Sequence, residues 1–350
     1  MNFASDNTTG VHPRIMAAMA AAAGGRAMPY GADDATRRVE RFFAEVFERE
    51  CAVFLVATGA AANSLALASM SPPWGAIYCH PGGHVNADEC GAPEFYTGGA
   101  KLVAIPGAHG KVAAADIDRA WRHSGVGSVH VTQPAAVSLT QLTEAGTIYT
   151  PAELGAIGEV CRSRALGFHV DGARFANAVA GSGRSPADLT WRAGVDALSF
   201  GATKNGAMAA EAVVFFDTAR ASTMGWRRKR SGQLWSKHRF LAAQMEAYLS
   251  DGLWLDCARH SNAMAARLAT GLAALPQASF LHPVEGNEIF VRLPPPVLDG
   301  LQADGFAFYR WPGEDAWLVR LVAGYDTTPT DVDAFLARTR HHAALAARPA

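Results

Sequence analysis

The 350-residue chain is short of charge: Asp, Glu, Lys and Arg make up only 18% of it, against 49% hydrophobic residues. Its 31 Lys+Arg against 32 Asp+Glu leave a formal net charge of −1, so there is no basic excess to attract nucleic acid or an anionic membrane. Long apolar runs are missing too. Nothing approaches the ~20 uninterrupted apolar residues that a spanning helix needs, and the Ala-rich stretch from Ile15 to Ala23 is closed by Gly24-Gly25-Arg26. Cysteine is scarce, five residues without CxxC spacing, which argues against a disulfide framework or a zinc ribbon. Cys79, His80, His84 and Cys90 lie close together, but their spacing matches no common zinc pattern, and no metal is expected. The opening MNFASDNTTG carries neither a basic nor an apolar leader segment, so the expected location is the cytoplasm.

What the chain does have is enough apolar content for two or three folded units. Val39, Phe42, Phe43, Val46 and Phe47 recur at helical spacing within Thr36–Glu48, and the apolar run Cys51–Val56 follows at once, giving a helix and then a buried strand. Short apolar runs recur at Ala76–Cys79, Leu102–Ile105, Ser128–Thr132, Gly167–Val170, Val195–Phe200 and Ala212–Phe216, most of them separated by helix-length stretches. That alternation predicts an α/β fold with a mostly parallel sheet. Near Ser250-Asp251-Gly252 the pattern changes to a long helix and short strands at Glu288–Leu293 and Trp317–Val322, which predicts a smaller α+β C-terminal subdomain. The expected division is an N-terminal arm over 1–30, a large domain over 31–250 and a small one over 251–350.

In open α/β sheets ligands bind beyond the carboxyl ends of the strands, and chemistry-bearing residues gather there in this sequence. Lys204 lies just past the run ending at Phe200, among small residues, where a dry pocket would make its amine nucleophilic; taken alone it reads as a loop lysine. Asp171 ends the run beginning at Gly167, with Arg174 three positions on. A carboxylate placed there can hold a heterocycle's ring nitrogen protonated, as for the pyridinium of pyridoxal phosphate (PLP), whereas its structural alternative is a helix N-cap. Thr58-Gly59-Ala60 separates a strand from a helix, so the Gly59 and Ala60 amides can cradle a phosphate. His84 falls in the loop after the second run, where an imidazole could stack on a cofactor ring.

These residues resemble those of the fold-type-I PLP-dependent enzymes, specifically the low-specificity L-threonine aldolases. The resemblance spans nearly the whole chain and rests on Ser5-Asp6-Asn7, Pro29-Tyr30-Gly31, Thr58-Gly59, the His80–Pro93 segment, Asp171-Gly172-Ala173-Arg174, Ala202-Thr203-Lys204-Asn205, Arg227-Arg228-Lys229 and Arg320. It implies a fold-type-I PLP-dependent transferase-like architecture. Lys204 would be the Schiff-base lysine, Asp171 the partner of the pyridine nitrogen and His84 the residue stacked on the ring. Gly59 and Ala60 would hold the phosphate, Ser5, Arg174 and Arg320 the substrate carboxylate or nearby cofactor oxygens, and Arg228 would lie near the site, reaching it from another subunit of a homodimer or homotetramer.

The implied reaction is reversible cleavage of threonine, allo-threonine or phenylserine to glycine and an aldehyde. Two departures from the family pattern stand out: Ala60 replaces a hydroxyl residue in the phosphate turn, and Gln133 stands where many relatives place a second imidazole. The base for the substrate hydroxyl is then His84, an ordered water or Glu89. Alternatives are a glycine hydroxymethyltransferase-like enzyme, an aminotransferase or a catalytically silent relative. The basic run Arg227–Arg230 reads as a solvated helix face or a cofactor-contacting segment.

Overall fold

The structure, a computed structural model, describes residues 1–311 and 315–346; the last four positions of the expected small domain lie outside them. Seven strands form the main sheet: β1 (Ala52–Val56), β2 (Gly75–Cys79), β3 (Lys101–Ala104), β4 (Gln133–Thr140), β5 (Gly167–Gly172), β6 (Ala197–Gly201) and β7 (Glu211–Phe215). Their order is β1-β7-β6-β5-β4-β2-β3. All neighbours pair in parallel except at β7, which runs against both β1 and β6. The mostly parallel sheet expected from the alternating pattern is what forms, and six of its strands lie over the runs that predicted them.

The exception is β4. The Ser128–Thr132 run is an irregular turn in which Val129 is 94% exposed, and the strand begins at Gln133. The Gln133 side chain organises that turn, accepting from the Gly127 amide at 2.8 Å and donating to the Ser128 and Val131 carbonyls, each at 3.0 Å. Gln133 is thus at the amino end of β4, whereas ligands in such sheets bind at the carboxyl ends. The idea that it replaces an imidazole at the site is corrected by this placement.

Helix α1 (Pro13–Ala22) anchors to the large core through fully buried Ile15. Helix α2 (Asp34–Phe47) starts where the Asp33 carboxylate accepts from the Thr36 amide, buries Val39, Phe43 and Phe47 on one stripe, and stops at Glu48 in the left-handed region. Helix α3 (Gly59–Met70) is buried nearly all round, as its run of Ala and Leu requires.

A second, four-stranded antiparallel sheet is made of β8 (Ser279–Phe280), β9 (Glu288–Arg292), β10 (Tyr309–Arg310) and β11 (Leu318–Val322). It packs with the helices Leu253–Ala273 and Pro329–Ala346 around its own core, which includes Leu268, Val291, Leu321 and Phe335. The start of the chain joins this core. Phe3 is buried against Phe335, with ring centroids 5.1 Å apart, and its backbone bonds to Ala307 and Val322.

Candidate active site

Parallel strands deliver their carboxyl ends to one edge of the sheet, and there a cavity of about 360 Å³ opens between the turns that follow β1, β5 and β6. Gly59, Ala60, His84, Asp171 and Lys204 all line it, together with Asn63 and Glu211. Five residues from four separate sequence segments therefore meet in one place.

The first turn of α3 supplies donors. Thr58 caps the helix, its hydroxyl accepting from the Ala61 amide at 3.2 Å, while its carbonyl accepts from Ala62. The Gly59 and Ala60 amides donate to no described residue, and a Cβ at Gly59 would meet nothing within 4 Å. Two unsatisfied amides at a helix N-terminus beside open space suit an anion.

Asp171 is 3% exposed and fixed from two sides. Its Oδ1 accepts from the Ala173 amide at 3.0 Å, and its Oδ2 accepts from Asn63 Nδ2 at 2.9 Å. That same Asn63 nitrogen donates to Glu89 Oε1 at 2.7 Å, which also meets His84 Nδ1 at 2.9 Å. Ligand atoms of His84, Glu89 and Asp171 fall within 4.8 Å of one another. The bond to Glu89 draws the His84 imidazole above its ordinary titration range, against the opposing effect of burial. Glu89 therefore orients His84 and leaves Nε2 for other partners; its own side chain has no solvent exposure.

Asn63 belongs to no motif in the sequence, yet it is central to the site. Its signal is a lone amide side chain, four positions beyond Gly59, in a buried helix of otherwise small and apolar residues. His80 is a bracing residue: Nε2 meets the Gly107 carbonyl at 3.1 Å and Nδ1 accepts from the Gly82 amide. His169, beneath the site, is fully buried between the hydroxyls of Ser138 and Ser199, and burial lowers its pKa to about 4.

The arginines form a separate array. Arg174 is 6% exposed and grips Asp6 through Nε to Oδ2 at 2.7 Å and Nη2 to Oδ1 at 2.9 Å. It also reaches Glu288 Oε1 at 3.2 Å, and that oxygen lies 3.8 Å from Arg320 Nη1. Burial pushes Asp6 up, but the Arg174 guanidinium brings its carboxyl below the usual range; Glu288 is carried by burial to about 7. Arg320 donates to the Ala4 carbonyl and lies 5.1 Å from the Trp311 ring centroid.

Ser5 caps the short turn Asp6–Thr8 and borders a second depression with Thr8, Thr9 and Asp326, while its neighbour Asn7 lines the main cavity. Arg228 sits behind β1, its Nη1 3.4 Å from the Leu55 carbonyl and its guanidinium over Phe54, and burial lowers its pKa.

Fold and cavity together define an enzyme of the fold-type-I architecture. Residues 2–294 match the beta-eliminating lyase family, and the chain belongs to that family. It is 44% identical to the low specificity L-threonine aldolase of Pseudomonas aeruginosa and 41% identical to that of a Pseudomonas species, each match covering 93% of both chains. Its structure superposes on a Leishmania major threonine aldolase with a TM-score of 0.92 at 30% identity, covering 98% of this chain and 99% of the other. A rice protein solved with PLP and tryptamine shares the fold at a TM-score of 0.80 and 14% identity, covering 99% of this chain and 84% of that one.

Proposed function

We propose that the chain is a PLP-dependent lyase that cleaves threonine, allo-threonine and related β-hydroxy-α-amino acids to glycine and an aldehyde, reversibly. The observation that carries this reading is the convergence of Lys204, Asp171 and the two unpartnered α3 amides on a single cavity. These residues fit the cofactor. Lys204 would bind its carbonyl carbon, Asp171 its ring nitrogen, Gly59 and Ala60 its phosphate, and His84 one face of its ring. When bound, PLP supplies an electron sink for the charge left on the substrate's Cα as the Cα–Cβ bond breaks.

The chain's residues do the rest. Asp171, held by Asn63 and the Ala173 amide, keeps a proton on the ring nitrogen. Of the three residues expected to grip the substrate carboxylate, Arg174 is committed to Asp6 and Glu288 and Ser5 borders the second depression, so the grip that selects which Cα bond breaks would fall to Arg320. His84 Nε2 accepts the β-hydroxyl proton, with Nδ1 held by Glu89, which makes Glu89 a positioning residue rather than the base. Arg174 serves mainly by holding Asp6 and Glu288, and Arg320 retains the freer charge of the two.

Assembly as a homodimer or homotetramer, with Arg228 near a neighbouring subunit's site, is part of the same reading. So is a cytoplasmic location; among the described residues no helix is long and apolar enough to cross a membrane. An aminotransferase would share Lys204 and Asp171, but the relatives favour aldol cleavage.

The test combines chemistry with trapping. Purified chain given PLP and L-threonine, with no keto-acid acceptor, should release glycine and acetaldehyde in equal amounts. Borohydride should then fix a pyridoxyl mass on the peptide carrying Lys204, and Lys204→Ala should lose both signals. Absence of the adduct in the unaltered chain overturns the reading.

A further inference from the structure

One buried acid in the cavity has no part in the reaction just described. Glu211 opens β7, and because that strand runs against its neighbours it pairs with Val56 on one side and Gly201 on the other. An acid at this position stands level with the carboxyl ends of both flanking strands, between the phosphate turn and the lysine turn. It is 6% exposed and lines the same cavity as Lys204. Its Oε2 accepts from the Ala202 amide at 3.3 Å, so its anchor belongs to the turn that carries Lys204.

Among the described residues Glu211 forms no ion pair with any arginine, histidine or lysine within 4.0 Å, and the amine of Lys204 is likewise without a hydrogen bond or close ion pair. The positive charge it feels is that of Lys204.

We propose that Glu211 is a positioning residue that governs the charge of Lys204: across the shared cavity its carboxylate is the counter-ion of the free ammonium. No contact within 4.0 Å joins the two, so the coupling acts through space across the cavity. Burial carries Glu211 to about 7, with the positive charge of Lys204 acting the other way. The other charged or titratable groups around the pair have partners of their own. Asp6 also feels the Lys204 charge but is held by Arg174; Asp171 is held by Asn63 and His84 by Glu89, while Tyr248 accepts from Asn205.

The proposal deepens the reading of Lys204 as the covalent anchor, and its test does not depend on turnover. The full chain, stripped of cofactor, is treated with a small amine-acylating reagent across a pH series, and acylation of Lys204 is followed by peptide mass spectrometry. Removing an adjacent negative charge should lower the labelling midpoint of Lys204 by about 1–3 pH units in Glu211→Gln. Glu211→Asp should stay near the unaltered chain. Glu211→Leu should move with the Gln variant, and serves if Gln fails to fold.

Other lysines in the same digest should not shift. An unmoved Lys204 midpoint in a folded Gln or Leu variant overturns the proposal and leaves Glu211 as a brace for the Ala202–Thr203 turn. A shifted midpoint in a chain that never forms a borohydride-fixed adduct would sink the aldolase reading while the charge pairing stands.

Discussion

The Glu89 Oε1 atom accepts from Asn63 and meets His84 Nδ1 at 2.9 Å, which ties the orientation of the imidazole to the same amide that braces Asp171. Two side chains that line the cavity are thereby tied to one asparagine on α3.

From this follows a pH effect. His84 titrates above its ordinary 6.5 because of Glu89, so the stability it contributes is present below 6.5 and is lost as pH rises through the elevated value. In Glu89→Gln the melting temperature should fall most at mildly acidic pH, and the gap to the unaltered chain should narrow as pH rises above the His84 range. The His84 titration followed by NMR should move down in the variant. An unshifted titration would show that Glu89 does not control His84.

Breaking the buried arginine array should be costly. Arg174→Met leaves Asp6 and Glu288 without their main cation, and removing one partner of a buried pair costs about 3–5 kcal/mol. Urea denaturation should show a lower midpoint with an unchanged slope, and Asp6→Asn added to Arg174→Met should recover part of the loss. Additive losses in the double variant would count against the pairing.

Ala60 leaves room for a gain. Ala60→Ser places a hydroxyl at the α3 N-terminus, where a bond to a charged acceptor is worth about 1–2 kcal/mol. The dissociation constant for PLP, titrated by absorbance, should tighten by roughly five- to thirty-fold, since each 1.4 kcal/mol is tenfold. No tightening would place the phosphate away from this turn.

Gln133 provides a control. Gln133→Ala removes three hydrogen bonds within the Gly127–Gln133 turn, at about 1 kcal/mol each, and should lower the melting temperature. Because the residue is at the amino end of β4, glycine release per folded molecule should not change. A selective loss of turnover would return Gln133 to the site.

Much of the architecture is legible in local pattern. The α2 stripe, the separate apolar runs and the placement of Thr58 and Lys204 just beyond strands, with Asp171 near the end of one, follow from periodicity and from the rule that parallel strands present ligands at their carboxyl ends. β4 was hidden because its second residue is Pro134, which discourages a strand reading, while Val129 and Val131 nearby supply a β-like alternation. In the fold the proline sits at the strand's start, where a missing amide is tolerated, next to a shift in register against β2 at Ala76/Ile77.

The partners of the site residues were less accessible. That Asp6 meets Arg174, or Asn63 meets both Glu89 and Asp171, depends on tertiary approach across 168, 26 and 108 positions of sequence. No periodicity encodes such distances.

The opening residues have a mechanical consequence. Phe3 is locked into the smaller core, and three positions later Asp6 is clamped to Arg174 on the larger one. So short a leash gives the two bodies little freedom to swing apart while both ends hold. Clipping the chain between Phe3 and Asp6 should therefore loosen their mutual orientation before it melts either one.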